Sequence, residues 1–75
     1  MRLSEFRQAV SDEFGNAYGQ VVTRDLMLVD LGDRTPEQAL KAGISPREVW
    51  LAVCRAADVP RERWHGAGLP AQPRG

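Results

Sequence analysis

The stretch Gly43-Ile44-Ser45-Pro46-Arg47-Glu48-Val49-Trp50-Leu51-Ala52-Val53-Cys54 decides the fold, because a full set of helix-start signals runs straight into a helical apolar stripe. Ser45 is a hydroxyl N-cap, Pro46 suits the first helical position, and Glu48 stands where a capping box needs its acid. Ile44 and Val49 occupy the staple positions on either side of that cap. Val49, Trp50, Val53, Cys54 and Ala57 then recur at helical spacing and predict the buried face. The helix is expected to end near Asp58, since Pro60 disfavours helical geometry at Val59.

The same grammar recurs just upstream. Thr35 caps, Pro36 opens and Gln38 completes a second box, which predicts a short helix ending at Gly43. Further back, Leu3, Phe6, Val10 and Phe14 recur every three or four residues and predict a helix over residues 4 to 14, with Ser4 as N-cap, Glu5 at its positive end and Gly15 as stop. A second helix is expected from Asn16 or Ala17 to Leu31, capped by Gly32. Its predicted apolar face is Tyr18, Val21, Val22, Leu26, Leu28 and Val29, with Gln20, Thr23, Arg24, Met27 and Asp30 opposite. Downstream, residues 60 to 65 add a loose turn that lays Trp64 against the bundle. Residues 66 to 75 hold three glycines, two prolines and only Leu69 to bury, and read as a flexible tail. The expectation is an all-α single domain over residues 1 to 65, built from three main helices and one short one.

Composition narrows what such a domain can do. The chain has 75 residues, and ten Lys plus Arg balance ten Asp plus Glu to a formal charge of zero. A domain this small buries only about 60% of its unfolded surface, so nearly every large apolar residue is needed for the core. The zero has internal structure: residues 1 to 31 are slightly acidic, residues 32 to 59 neutral and residues 60 to 75 basic. Neutrality removes the broad basic field that drives most nucleic-acid binding. Nothing approaches the roughly 20 apolar residues of a membrane span, and Met1 opens an amphipathic segment in place of a signal sequence. With Cys54 as its one cysteine, the chain is expected in a reducing cytoplasm.

Catalytic chemistry finds little to work with. His65 and Cys54 have no neighbouring ligands of the kind a metal site needs. Cys54 lies one turn after Trp50 on the apolar face, where a thiol behaves as a small hydrophobe. The glycines stand singly at helix ends and do not form a phosphate loop. Asp12 and Glu13 point in different directions from adjacent helical positions. No enzyme, metal or cofactor is expected. Asp25 falls within the predicted apolar face of the second helix, where a carboxylate needs a partner, so it reads as a structural polar anchor accepting from another helix's first turn or from the Trp50 indole.

Two surface readings remain. Met27 and Leu51 lie on the polar sides of their predicted helices, Leu51 among Arg47, Arg55 and Asp58. Should they come together, or join Trp64, they would form an apolar spot with an arginine rim suited to a protein partner. Met27 or Leu51 would equally serve a weak homodimer. Alternatively, Ala39, Gly43, Ile44, Ser45 and Val49 have the spacing of a helix-turn-helix. Its reading face, Pro46, Arg47, Trp50, Leu51 and Arg55, carries two cations and no Asn or Gln for base edges. Arg61, Arg63 and Arg74 around Trp64 add a basic and aromatic mixture for a nucleic-acid backbone. Nucleic-acid binding is therefore expected to be weak, and an unidentified protein partner is the leading expectation.

Taken in order, Met1-Arg2-Leu3-Ser4-Glu5-Phe6, Phe14-Gly15, Ala17-Tyr18, Arg24-Asp25, Leu31-Gly32, Arg34-Thr35, Glu37-Gln38-Ala39-Leu40, Gly43, Val49-Trp50, Ala52-Val53-Cys54 and Asp58-Val59-Pro60 resemble the actinobacterial domain of unknown function 3046 over residues 1 to about 64. The resemblance implies a small, all-helical cytoplasmic protein with no assigned activity, cofactor or catalytic residue. It also implies a gene placed near those for the recombinase RecA and its regulator RecX, and hence a tie to DNA repair or recombination.

Overall fold

The computed structural model describes residues 1–64. Four helices follow in chain order, α1 (Leu3–Phe14), α2 (Asn16–Asp25), α3 (Pro36–Lys41) and α4 (Pro46–Ala56), with 3₁₀ turns at Val29–Leu31 and Arg61–Arg63. The protein is all-α, with three longer helices and one short one. His65, Leu69, Arg74 and the expected tail over 66 to 75 lie outside the described residues.

The quoted stretch forms the centre of the bundle. Val49, Trp50, Ala52, Val53 and Cys54 of α4 are buried, and α4 packs on α1, on α3 and on the Val29–Leu31 turn. Phe6, Ala9 and Val10 of α1, Val22 of α2, Leu28, Ala39 of α3 and Val59 complete one continuous core. Ser45 Oγ accepts the Glu48 N–H at 3.2 Å, so half of the expected capping box forms. At α3 both halves form, Gln38 N–H to Thr35 Oγ1 at 3.2 Å and Thr35 N–H to Gln38 Oε1 at 3.0 Å. Helix α1 begins one residue earlier than Ser4 would place it, because the Arg2 N–H donates to the Glu5 carboxylate at 2.7 Å and makes Arg2 the cap. Leu3 is correspondingly exposed and does not join the core. Gly15, at φ 83° and ψ 163°, holds a conformation open essentially to glycine alone, and it closes α1 and opens α2 in one residue.

Helices α3 and α4 end in the same way. The Ile44 N–H reaches back to the Ala39 carbonyl at 3.1 Å and the Gly43 N–H to Leu40 at 3.1 Å. The Val59 N–H reaches Cys54 at 2.9 Å and the Asp58 N–H reaches Arg55 at 3.3 Å. Both are Schellman ends, which require a left-handed residue just past the helix. Gly43 supplies it at one end, but Asp58 supplies it at the other, at φ 61°. Helix α4 therefore stops at Ala56, two residues before the end read from Pro60. Asp58→Gly should raise stability by about 0.5–1 kcal/mol: relief of left-handed strain and removal of a negative charge at a helix C-terminus outweigh glycine's greater unfolded-state freedom. Urea denaturation followed by circular dichroism measures this, and a lower midpoint would contradict it.

The main departure from the sequence reading is in the second helix. It stops at Asp25, and the chain then runs extended through Leu28, whose N–H donates to the Arg34 carbonyl at 2.8 Å in an isolated antiparallel bridge. The Leu28 carbonyl accepts from both Leu31 and Asp33, each at 3.0 Å. Asp33 and Gly32 both adopt positive φ, which turns the chain back to make the bridge. As a result the predicted apolar face breaks up. Val22 and Leu28 are buried, Leu26 is half-buried, and Tyr18, Val21 and Val29 are exposed. Thr23, expected outside, is buried and donates to the Gln20 carbonyl at 3.1 Å. Asp25 is exposed at the last position of α2. It is not a buried anchor, and a carboxylate there needs no special partner.

The loose turn over the bundle is present. The Trp50 indole N–H donates to the carbonyl of Trp64, and the Trp64 indole N–H donates to the Val59 carbonyl at 2.7 Å. Trp64 is half-buried against the core.

Candidate functional site

The extended run from Leu26 to Leu28 determines what the surface offers. Side chains alternate between faces along extended backbone. Leu28 turns inward and is 1% exposed, so Met27 before it turns outward, at 49% exposure, while Val29, the first residue of the 3₁₀ turn, also lies outward, at 76%. They border a shallow hollow whose other walls are Ala52, Ala56, Asp30 and Arg55. Arg55 Nε donates to Asp30 Oδ2 at 2.7 Å across this hollow. The surface is thus two exposed aliphatic side chains and Ala56 of α4 over the buried Ala52, with one ion pair at the rim. It is among the places where this chain leaves large apolar groups exposed, and adjacency distinguishes it from a lone exposed leucine.

The structure brings together only part of the site read from the sequence. Met27 meets Arg55, but Leu51 is half-buried elsewhere on α4 and lines no part of the hollow. Trp50, placed on the presumptive reading face, is 1% exposed and belongs to the core, edge-on to Phe6 with ring centroids 6.4 Å apart. The outward strip of α4 is Arg47, Glu48, Leu51 and Arg55. Arg61 lies over the Trp64 ring at 5.1 Å, and Arg63 pairs with Glu13 of α1 at 2.9 Å. Arg63 thus ties this turn to α1, while Arg61 packs on Trp64 within the turn itself. Val29 and Asp30 were placed inside a helix by the sequence reading, which gave them no part in a site.

The remaining chemistry is modest. Burial pushes the Cys54 thiol up to about 12, with the Glu13 carboxylate adding to the effect and Arg55 opposing it. A thiol at that value is protonated at neutral pH and is not a nucleophile. Because its folded value lies above its unfolded one, the contribution of Cys54 to stability is complete below the ordinary thiol value of 9.0 and is lost as pH rises toward 12. Native protein should react with a thiol-specific disulfide reagent only as fast as it unfolds, and stability should fall between pH 9 and 10.5 less steeply in Cys54→Ala than in the parent. Fast labelling under native conditions would contradict the first expectation. Among the described residues no three of His, Cys, Asp and Glu are grouped to hold a metal ion, and no helix is long and apolar enough to cross a membrane. The cleft between α1 and α2 is lined by polar groups such as Ser11, Asn16 and Gln20, and its one charged member, Arg7, pairs with Glu37 of α3 at 2.8 Å.

Fold and surface together define a small helical module. The family model described as "Protein of unknown function (DUF3046)" matches residues 1–62, and the chain belongs to that family. No curated protein and no solved structure matches it.

Proposed function

We propose that this protein is a noncatalytic interaction or regulatory module that docks a protein partner on the surface formed by Met27 and Val29, with Asp30 and Arg55 at its rim. One observation carries the reading: an extended segment inserted between helices uses Leu28 as its anchor and turns both flanking aliphatic side chains outward. Such a patch gains by being covered, at about 25 cal/mol for each Å² removed from water, and its rim pair gives a partner orientation. The absence of an activated thiol supports the noncatalytic part of the reading. Following the gene placement that the family resemblance implies, the partner is to be sought among proteins of DNA repair and recombination, in the cytoplasm.

Direct DNA binding is the weaker reading. On the outward strip of α4, Arg55 is bound to Asp30 and Glu48 adds a negative charge, which leaves Arg47. Arg61 and Arg63 are turned to Trp64 and Glu13. Among the described residues of that reading, one unpaired cation makes too few phosphate contacts for useful affinity at physiological salt.

The test is retention of lysate proteins by immobilised wild type, by Val29→Asp and by Leu3→Asp, with and without nuclease. Leu3 is a comparably exposed residue on α1. The expected result is a protein retained by wild type and Leu3→Asp, lost on Val29→Asp and indifferent to nuclease. Equal retention by all three, or dependence on nucleic acid, would overturn the reading.

A further inference from the structure

We propose that, when no other protein is docked there, this surface is covered by a second copy of the same chain. The two copies would be related by a twofold axis, so that their Met27 and Val29 side chains meet and Arg55 of each reaches Asp30 of the other. The inference rests on the reading of Met27 and Val29 as a contact surface and adds the identity of what covers them. A twofold contact sets the same patch against itself, so the patch must be complementary to its own rotated image. An all-acidic or all-basic rim would fail that condition. This rim carries one acid and one base side by side, bonded at 2.7 Å, next to the apolar side chains.

The arginine is also set up for two carboxylates. Arg55 uses Nε for its own Asp30, while Nη1 and Nη2 have no partner among the described residues. Those two amino groups form the fork that takes a second carboxylate. Rotation about the axis brings the other copy's Asp30 to that fork, and the two pairs merge into a ring of four alternating charges. Charge elsewhere raises no barrier to the encounter, since the whole chain has a formal charge of zero and copies of it do not repel one another. Standard-sized stable interfaces bury about 800 Å² per partner, and a patch built on two aliphatic residues and Ala56 falls well short of that. The dimer is therefore weak and exchanging, with a dissociation constant on the order of 100 μM.

Sedimentation equilibrium of the full chain between about 10 μM and 1 mM reads this directly, a range set on either side of the expected constant. Wild type should fit a reversible monomer–dimer equilibrium. Val29→Asp, at a position exposed enough to leave folding intact, should weaken it at least tenfold. Asp30→Arg and Arg55→Asp should each be monomeric alone, because like charges then face each other across the axis. An equimolar mixture of the two should associate again, since each copy then offers the charge the other lacks. These variants carry net charges of +2 and −2, from zero plus two and zero minus two. Matched controls are therefore Glu37→Arg and Arg7→Asp, which carry the same net charges at the α1–α3 pair but keep the proposed interface, and each alone should still associate as wild type does.

A wild type that stays monomeric at 1 mM would overturn the proposal, as would a dimer indifferent to Val29→Asp, an Asp30→Arg and Arg55→Asp mixture no more associated than either variant alone, or a Glu37→Arg or Arg7→Asp protein that loses association as fully as they do. The wider docking reading fails separately. If wild type is monomeric but Val29→Asp still loses a retained lysate protein, the surface is a docking site for another protein and only self-association is wrong.

Discussion

Trp50→Ala should remove about half of the fold's stability at 25 °C and lower its urea midpoint by about 3 M or more. Truncating a fully buried tryptophan costs about 3–5 kcal/mol. A 75-residue domain has a total stability of about 4–11 kcal/mol at the usual 0.05–0.15 kcal/mol per residue. Trp50 also does more than fill space. Its ring packs edge-on to Phe6 of α1, and its indole N–H bonds the Trp64 carbonyl, so α1, α4 and the C-terminal turn meet on one side chain. Trp50→Phe separates these roles, because it keeps most of the ring but loses the donor; it should cost about 1–3 kcal/mol, the range for a lost partner of a buried polar group. Circular dichroism at 222 nm through a urea titration resolves the two. With a slope near 1 kcal/mol per molar, a loss of 3 kcal/mol moves the midpoint by about 3 M. A Trp50→Ala protein with native helicity and a midpoint within 1 M of wild type would show that the core does not depend on this residue.

The helices that could be read from the sequence are those whose ends are written in side-chain chemistry. Ser45-Pro46 and Thr35-Pro36 announce their starts, and Gly15 and Gly43 their stops, because each signal acts within one turn of backbone and needs nothing from the rest of the fold. The end of α4 was misplaced by two residues for a related reason. Its left-handed position is held by Asp58, which is a weaker signal than glycine. The end of α2 left no local trace at all. Leu26-Met27-Leu28-Val29 is apolar throughout, so its alternation of burial casts no alternation of polarity, and a run of that kind fits a helix face equally well. What replaces the helix is the Leu28–Arg34 bridge, closed by the positive-φ turn at Gly32 and Asp33, which the apolar run itself does not announce. The candidate surface went unread with it. Met27 was found as an apolar residue out of place, but Val29 and Asp30 became its neighbours only once the backbone was extended. The error at Asp25 has the same origin, since a helix running on to Leu31 is what made that position appear buried.

The alternation at residues 27 to 29 makes a sharp second prediction. Leu28→Ala should lose about 2–5 kcal/mol, the cost of a large-to-small change at a fully buried leucine, while Met27→Ala and Val29→Ala should each stay within about 0.5 kcal/mol of wild type. A helix continuing to Leu31 gives a different pattern. Leu28 and Val29 would then share the buried face and both substitutions would be costly. The comparison of three adjacent alanine variants by urea denaturation therefore reports backbone geometry, and the decisive outcome is Val29→Ala. If it destabilises as much as Leu28→Ala, the segment is helical, Val29 is inside, and there is no docking surface. If only Leu28 is costly, binding should divide the opposite way. Val29→Ala would weaken association while the protein remains fully folded, and Leu28→Ala would weaken it only in proportion to the fraction unfolded, because Leu28 touches no partner and acts solely by holding its two neighbours out. Adding a stabilising change on α1, which lines no part of the patch, should then recover part of the binding lost in Leu28→Ala and none of that lost in Val29→Ala.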